Sequence, residues 1–176
     1  MGGAGSSFDL KRIIQTTDKG YASVCYTGTF GAGIWDVYMV KLDSIGKLEW
    51  THTIGGPNFD AGYGIVQTTD GGYAISGFTA SFGAGSFDLY VAKLDANGNL
   101  QWTKVIGGID DEVGFDIVQT TDGGYVVAGY TSSFGAGGDD VYIIKLDANG
   151  NLLWTRTVGG INDDGGVSIK QTQEGG

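Results

Sequence analysis

The chain repeats with a period of 52 residues. Gly55 and Gly56, Gly107 and Gly108, and Gly159 and Gly160 stand 52 apart, as do Tyr21, Tyr73 and Tyr125, and Trp50, Trp102 and Trp154. Residues 55–106 and 107–158 agree at 31 of 52 positions, and the period lies in the range of propellers and solenoids. The bounds that follow are 1–54, 55–106 and 107–158 for three repeats, with 159–176 as a partial fourth. A residue present in each repeat is explained first by the scaffold. Anything specific to function must lie in unique residues, in loop variation or in the way repeats assemble.

Within the second repeat, residues 63–69 (YGIVQTT) are β-branched and apolar, Asp70-Gly71-Gly72 marks a tight turn, and residues 73–79 (YAISGFT) run back. A glycine-rich loop over 80–87 leads to a third strand, 88–94 (DLYVAKL). The turn pair Asn97-Gly98, repeated as Asn149-Gly150, leads to a fourth strand over 99–106. Residues 55–62 read as the link from the preceding repeat. No window has helical periodicity. The third strand is apolar on both faces, Leu89 and Val91 on one and Tyr90, Ala92 and Leu94 on the other, so it is covered on both sides. The fourth, with Gln101, Thr103 and Lys104 around Trp102, fits an outer rim, where Trp50, Trp102 and Trp154 share one setting. Gly77 and Gly129 in the second strand mark close approach of another backbone or ring. Cys25, in the matching place of repeat one, reads as a small buried hydrophobe. The fold class is all-β: propeller-type repeats of four antiparallel strands, three full blades and one extra strand.

Two stretches, GGIDDEVGFDIVQTTDGGYVVAGYT and DDVYIIKLDANGNLLWT, resemble the short bacterial and archaeal β-propeller repeats of the SBBP type. The likeness spans essentially the whole chain. It implies a surface or secreted propeller and supplies no catalytic residues. The tryptophan-docking repeats of quinoprotein propellers are also similar, but the distance from Asp95 to Trp102 is one residue shorter than theirs, so no quinone cofactor is carried over.

A formal net charge of −10 and only ten Lys plus Arg disfavour nucleic acid and anionic membrane surfaces as partners. No apolar run approaches the ~18 residues of a membrane span, and no signal-peptide core is present. The expected location is extracellular or the cell surface, as a mature segment, or otherwise the cytoplasm. Carboxylates gather in two sets of equivalent loops: Asp60, Asp110, Asp111, Glu112, Asp163 and Asp164 in the links, and Asp36, Asp88, Asp139 and Asp140 before the third strands. Both sets should share one negative face. No spacing matches a calcium loop, so no metal is assigned. The bland reading has these acids accepting loop amides or pairing with Lys41, Lys93 and Lys145. His52, the one histidine, matches Lys104 and Arg156 and reads as a solvated rim position without a nucleophile beside it. No enzyme and no cofactor are expected. Trp35 and Phe87, beside those acids, would suit stacking on sugar rings, which makes glycans the alternative partner.

Three blades are too few to close a propeller of four to eight. Either the sequence is a fragment of a larger cell-surface propeller protein, or copies associate and cover each other's open blade faces. The second reading predicts a homo-oligomer, ring or head-to-tail fibre. Residues 165–172, with Val167, Ile169 and Gln171, match a first strand and would be shared at the junction. Lys11 and Arg12 make the opening strand of repeat one less apolar and able to give way.

Overall fold

The computed structural model describes residues 11–166 and 168–172. Its strands are β1 (Arg12–Gln15), β2 (Tyr21–Thr27), β3 (Asp36–Leu42), β4 (Leu48–Ile54), β5 (Asp60–Gln67), β6 (Tyr73–Thr79), β7 (Asp88–Leu94), β8 (Leu100–Ile106), β9 (Glu112–Gln119), β10 (Tyr125–Thr131), β11 (Asp140–Leu146) and β12 (Leu152–Val158). They form three antiparallel four-stranded sheets in the orders β1-β2-β3-β4, β5-β6-β7-β8 and β9-β10-β11-β12, here called blades 1 to 3. The fold is all-β, as the repeat pattern predicts. No helix long and apolar enough to cross a membrane occurs among the described residues.

Burial grades across each blade. In blade 2, β6 and β7 are buried at every residue, whereas β8 is exposed or half-buried throughout. The two faces of β7 divide as its sequence predicts. Tyr90, Ala92 and Leu94 join Ala22, Val24, Val37 and Met39 of blade 1 in one core, while Leu89 and Val91 join Ile117, Tyr125, Val127 and Ile144 of blade 3 in another. Blade 2 is thus a slab between two neighbours, and apolar burial at those junctions is the main favourable term holding the array together.

The first strand of the repeat departs from the sequence reading. It spans Asp60–Gln67 instead of 63–69, because Asp60 and Ala61 pair with Thr79 and Phe78 and the register then slips past Tyr63 in a bulge. Residues 60–62 therefore belong to the sheet, and Thr68 belongs to the turn, its N–H donating to the Gly72 carbonyl at 2.9 Å. That bulge explains Gly77: a Cβ added there would overlap the Ala61 carbonyl oxygen, and Gly129 stands in the same relation to Val113. Cys25 in the matching place is buried, its thiol 3.5 Å from the Tyr38 carbonyl. Gly71 and Gly123 take positive φ in the first hairpin turn, where repeat one has Lys19 at φ 68.

Candidate functional site

The three rim tryptophans share a register but not a setting. Trp50 meets Tyr73 of the next blade edge-on, centroids 5.7 Å apart, and Trp102 meets Tyr125 at the same 5.7 Å. The Asn-Gly turn of that next blade also packs on the ring. A Cβ on Gly98 would come 3.0 Å from Trp50, and one on Gly150 would come 2.9 Å from Trp102. Glycine is doubly required at both positions, since φ is +81 at Gly98 and +77 at Gly150. Each tryptophan is therefore clasped between a tyrosine and a glycine turn of its neighbour. His52 belongs to the same contact: its Nε2 lies 3.2 Å from the Asn97 carbonyl, so it bridges two blades and is half-buried instead of a solvated rim residue.

Trp154 has no such cover among the described residues. It is 41% exposed, with Arg156 over its ring at 5.8 Å. Beside it lies a cavity of about 300 Å³ lined by Val118, Val126, Ile143, Lys145, Ile169 and Gln171, among others. The expectation of one shared setting for the three tryptophans is corrected accordingly. Trp50 and Trp102 are packed at junctions, and Trp154 faces an open blade.

Around the axis, the innermost strands place equivalent positions of successive repeats together. Arg12, Gly64, Asp116 and Ser168 are such a set. The Asp116 carboxylate, 2% exposed, lies 3.5 Å from the Arg12 guanidinium and accepts the Ser168 hydroxyl at 3.0 Å and the Ile169 N–H at 3.1 Å. Lys11 stands 5.2 Å over the Tyr63 ring, and Tyr63 meets Phe115 edge-on at 5.5 Å. Gln171 Oε1 accepts the Thr121 N–H at 3.1 Å, repeating the Gln67 and Gln119 bonds to Thr17 and Thr69. Residues 165, 166 and 168–172 so lie where the first strand of a next blade belongs. They form no strand ladder, contrary to the expected extra strand, because the described residues offer no second strand there to pair with. Val167 is outside the described residues.

The acidic positions divide in two. Asp36, Asp60, Asp88, Glu112 and Asp140 are buried and serve as internal clamps, not as a surface. Asp60 accepts the Gly56 N–H and the Ser81 hydroxyl, both at 2.7 Å, and Asp140 accepts the Ala136 N–H at 2.8 Å. Burial, together with the Glu112 charge, pushes the Asp88 carboxyl above its ordinary range against hydrogen bonds from Gly85 and Ala84. Asp110, Asp163 and Asp164 are exposed, and Asp111 and Asp139 are half-buried. These too take part in the loop ladder. Asp111 accepts the Phe87 N–H at 3.2 Å, Asp163 accepts that of Asp139 at 3.2 Å, and Asp164 accepts that of Gly160 at 3.0 Å. The Asp110 N–H donates to Ser133 Oγ at 2.9 Å.

The repeated lysines pair elsewhere, with the aspartate of the first hairpin turn of each blade and, for Lys41, also with Glu49 of β4. Lys41 meets Asp18 and Glu49, each at 2.8 Å, Lys93 meets Asp70 at 2.9 Å and Lys145 meets Asp122 at 2.8 Å. Burial raises the Asp70 carboxyl, but hydrogen bonds from Thr68, Lys93 and the Gly72 N–H outweigh it and hold it at about 2. The aromatics offered for sugar stacking are committed to packing. Trp35 stacks on Tyr26 at 4.5 Å and abuts Phe59 at 4.9 Å, and Phe87 packs on Phe78 at 4.5 Å. The described residues bring together no group of three or more His, Cys, Asp or Glu side chains able to hold a metal.

The β-propeller family described as a domain of unknown function, DUF5122, matches residues 120–152, which lie within blade 3. A curated relative, the regulatory protein FlaEY of Caulobacter vibrioides, is 25% identical over 154 residues, covering 73% of this chain and 16% of the relative. The chain thus spans a small part of that protein's length. Among solved structures, a protein of unknown function from Bacteroides caccae aligns with a TM-score of 0.42 and 12% identity, over 89% of this chain and 69% of that one. Sheet architecture and family match agree that the chain carries β-propeller repeats.

Proposed function

We propose that the protein is a non-enzymatic β-propeller module, structural or adhesive at a cell surface, that joins copies of itself through its open blade faces. The observation carrying this reading is the pair of apolar faces that no other blade among the described residues covers. Blade 3 presents Val126, Val141, Ile143, Trp154 and Val158, the positions that in blade 2 are Ala74, Leu89, Val91, Trp102 and Ile106. Blade 1 presents Tyr21, Tyr38, Val40 and Leu42, which in blade 2 are Tyr73, Tyr90, Ala92 and Leu94. Contiguous apolar surface of this extent marks a contact site in a soluble protein. Residues 165–172, Ile169 and Gln171 among them, lie at the same edge and would take part in the junction. A head-to-tail contact of this kind closes into a ring or runs on as a fibre. The description of the Caulobacter relative as a regulatory protein also fits a module that acts by contact and not by chemistry.

Sedimentation velocity at micromolar concentration tests the reading. The expected particle is a multiple of 18.3 kDa. A monodisperse monomer across that range would refute self-association.

A further inference from the structure

We infer that the junction between copies is a third instance of the tryptophan clasp: Trp154 of one copy seats between Tyr21 and the Gly46 turn of a second. This deepens the self-association reading and rests on it. The repeat gives the register. Trp50 is held by Tyr73 and Gly98, and Trp102 by Tyr125 and Gly150. One period earlier than Tyr73 and Gly98 stand Tyr21 and Gly46, and one period later than Trp102 stands Trp154.

All three residues of the missing clasp are present and unengaged in the way their equivalents are engaged. Trp154 is 41% exposed and Tyr21 is 37% exposed. Gly46 has φ +81, the value of Gly98, yet open space surrounds its Cβ direction where Gly98 meets Trp50 and His52. The cavity beside Trp154 is the receiving socket. Its lining residues Thr121, Asp122, Lys145, Trp154 and Gln171 are the one-period equivalents of Thr69, Asp70, Lys93, Trp102 and Gln119, which line a cavity together with Tyr125 where blade 2 meets blade 3. At about 300 Å³ the socket has room for a tyrosine ring. Because residues 168–172 already hold the innermost-strand place on that face, the second copy docks through its β2, β3 and β4. Docking there requires its β1, four residues long, to give up its pairing with β2 and the Arg12 contact to Asp116.

The test uses Trp154→Ala and Tyr21→Ala, each removing one half of the clasp, with far-UV circular dichroism to show that the blades persist. The wild-type chain should assemble. Each variant alone should sediment as a monomer, and an equimolar mixture should regain one-to-one pairs and stop there, since each variant keeps one intact half. A wild-type chain that assembles while both variants assemble equally well would overturn the clasp and leave self-association standing. A monomeric wild-type chain would overturn both.

Discussion

Replacing Trp102 by alanine is expected to cost about 2–3 kcal/mol, below the range for a fully buried aromatic because the ring is half-buried. The half-buried ring packs where blade 2 meets blade 3. It packs against the core that contains Tyr125, Val127 and Ile144, and the Gly150 turn lies across it. Removing it leaves a void bounded by backbone on one side and by a sheet face on the other, neither of which collapses easily. Trp154→Ala should cost less than about 1 kcal/mol when measured on dissociated chains, since an exposed side chain gives up little burial. Chemical denaturation of the two variants checks the contrast. Equal losses would mean that the outer face of blade 3 is covered in the monomer.

Gly129→Ala should be at least as damaging, at about 3 kcal/mol or more, although it adds a single methyl group. The added carbon would collide with the Val113 carbonyl, a backbone atom inside a bulged ladder that cannot turn aside. Relief would require opening β9 from β10 at the innermost strand of the blade. A well-folded variant with unchanged denaturation midpoint would show that the bulge is absent or soft. Gly165→Ala is the natural contrast, since nothing lies within 4 Å of the added carbon.

These two positions show how unevenly the structure could be read from the sequence. Gly129 was legible because a glycine inside an otherwise apolar, β-branched strand has few explanations other than close approach. The two-faced third strand was legible for a similar reason, since no half-exposed strand has apolar residues on both sides. The start of β5 was hidden, because Asp60, Ala61 and Gly62 carry loop chemistry and only the bulge at Tyr63 lets them pair. For the acidic residues the sequence left two readings open, a shared negative face and hydrogen bonds to loop amides, and the buried ones take the second. Asp60, Glu112 and Asp140 bond loop amides from inside, and composition cannot distinguish a carboxylate turned inward from one turned toward solvent. The Arg12 to Asp116 pair joins residues 104 apart in sequence, so no local spacing reveals it. The one available signal was the appearance of opposite charges at the same repeat position, where blade 2 has Gly64. Trp154 was beyond a repeat-based reading for a different reason: identical sequence context does not supply an identical neighbour.

Each junction between blades is held by a tryptophan acting on the tyrosine of the next blade. A double-mutant cycle on Trp102 and Tyr125, using Trp102→Ala, Tyr125→Ala and the pair in chemical denaturation, measures that contact apart from the burial each ring brings alone. Edge-on aromatic pairs contribute about 0.5–1.5 kcal/mol beyond area burial. A favourable coupling in that range is the expected result, and additive losses would contradict the clasp.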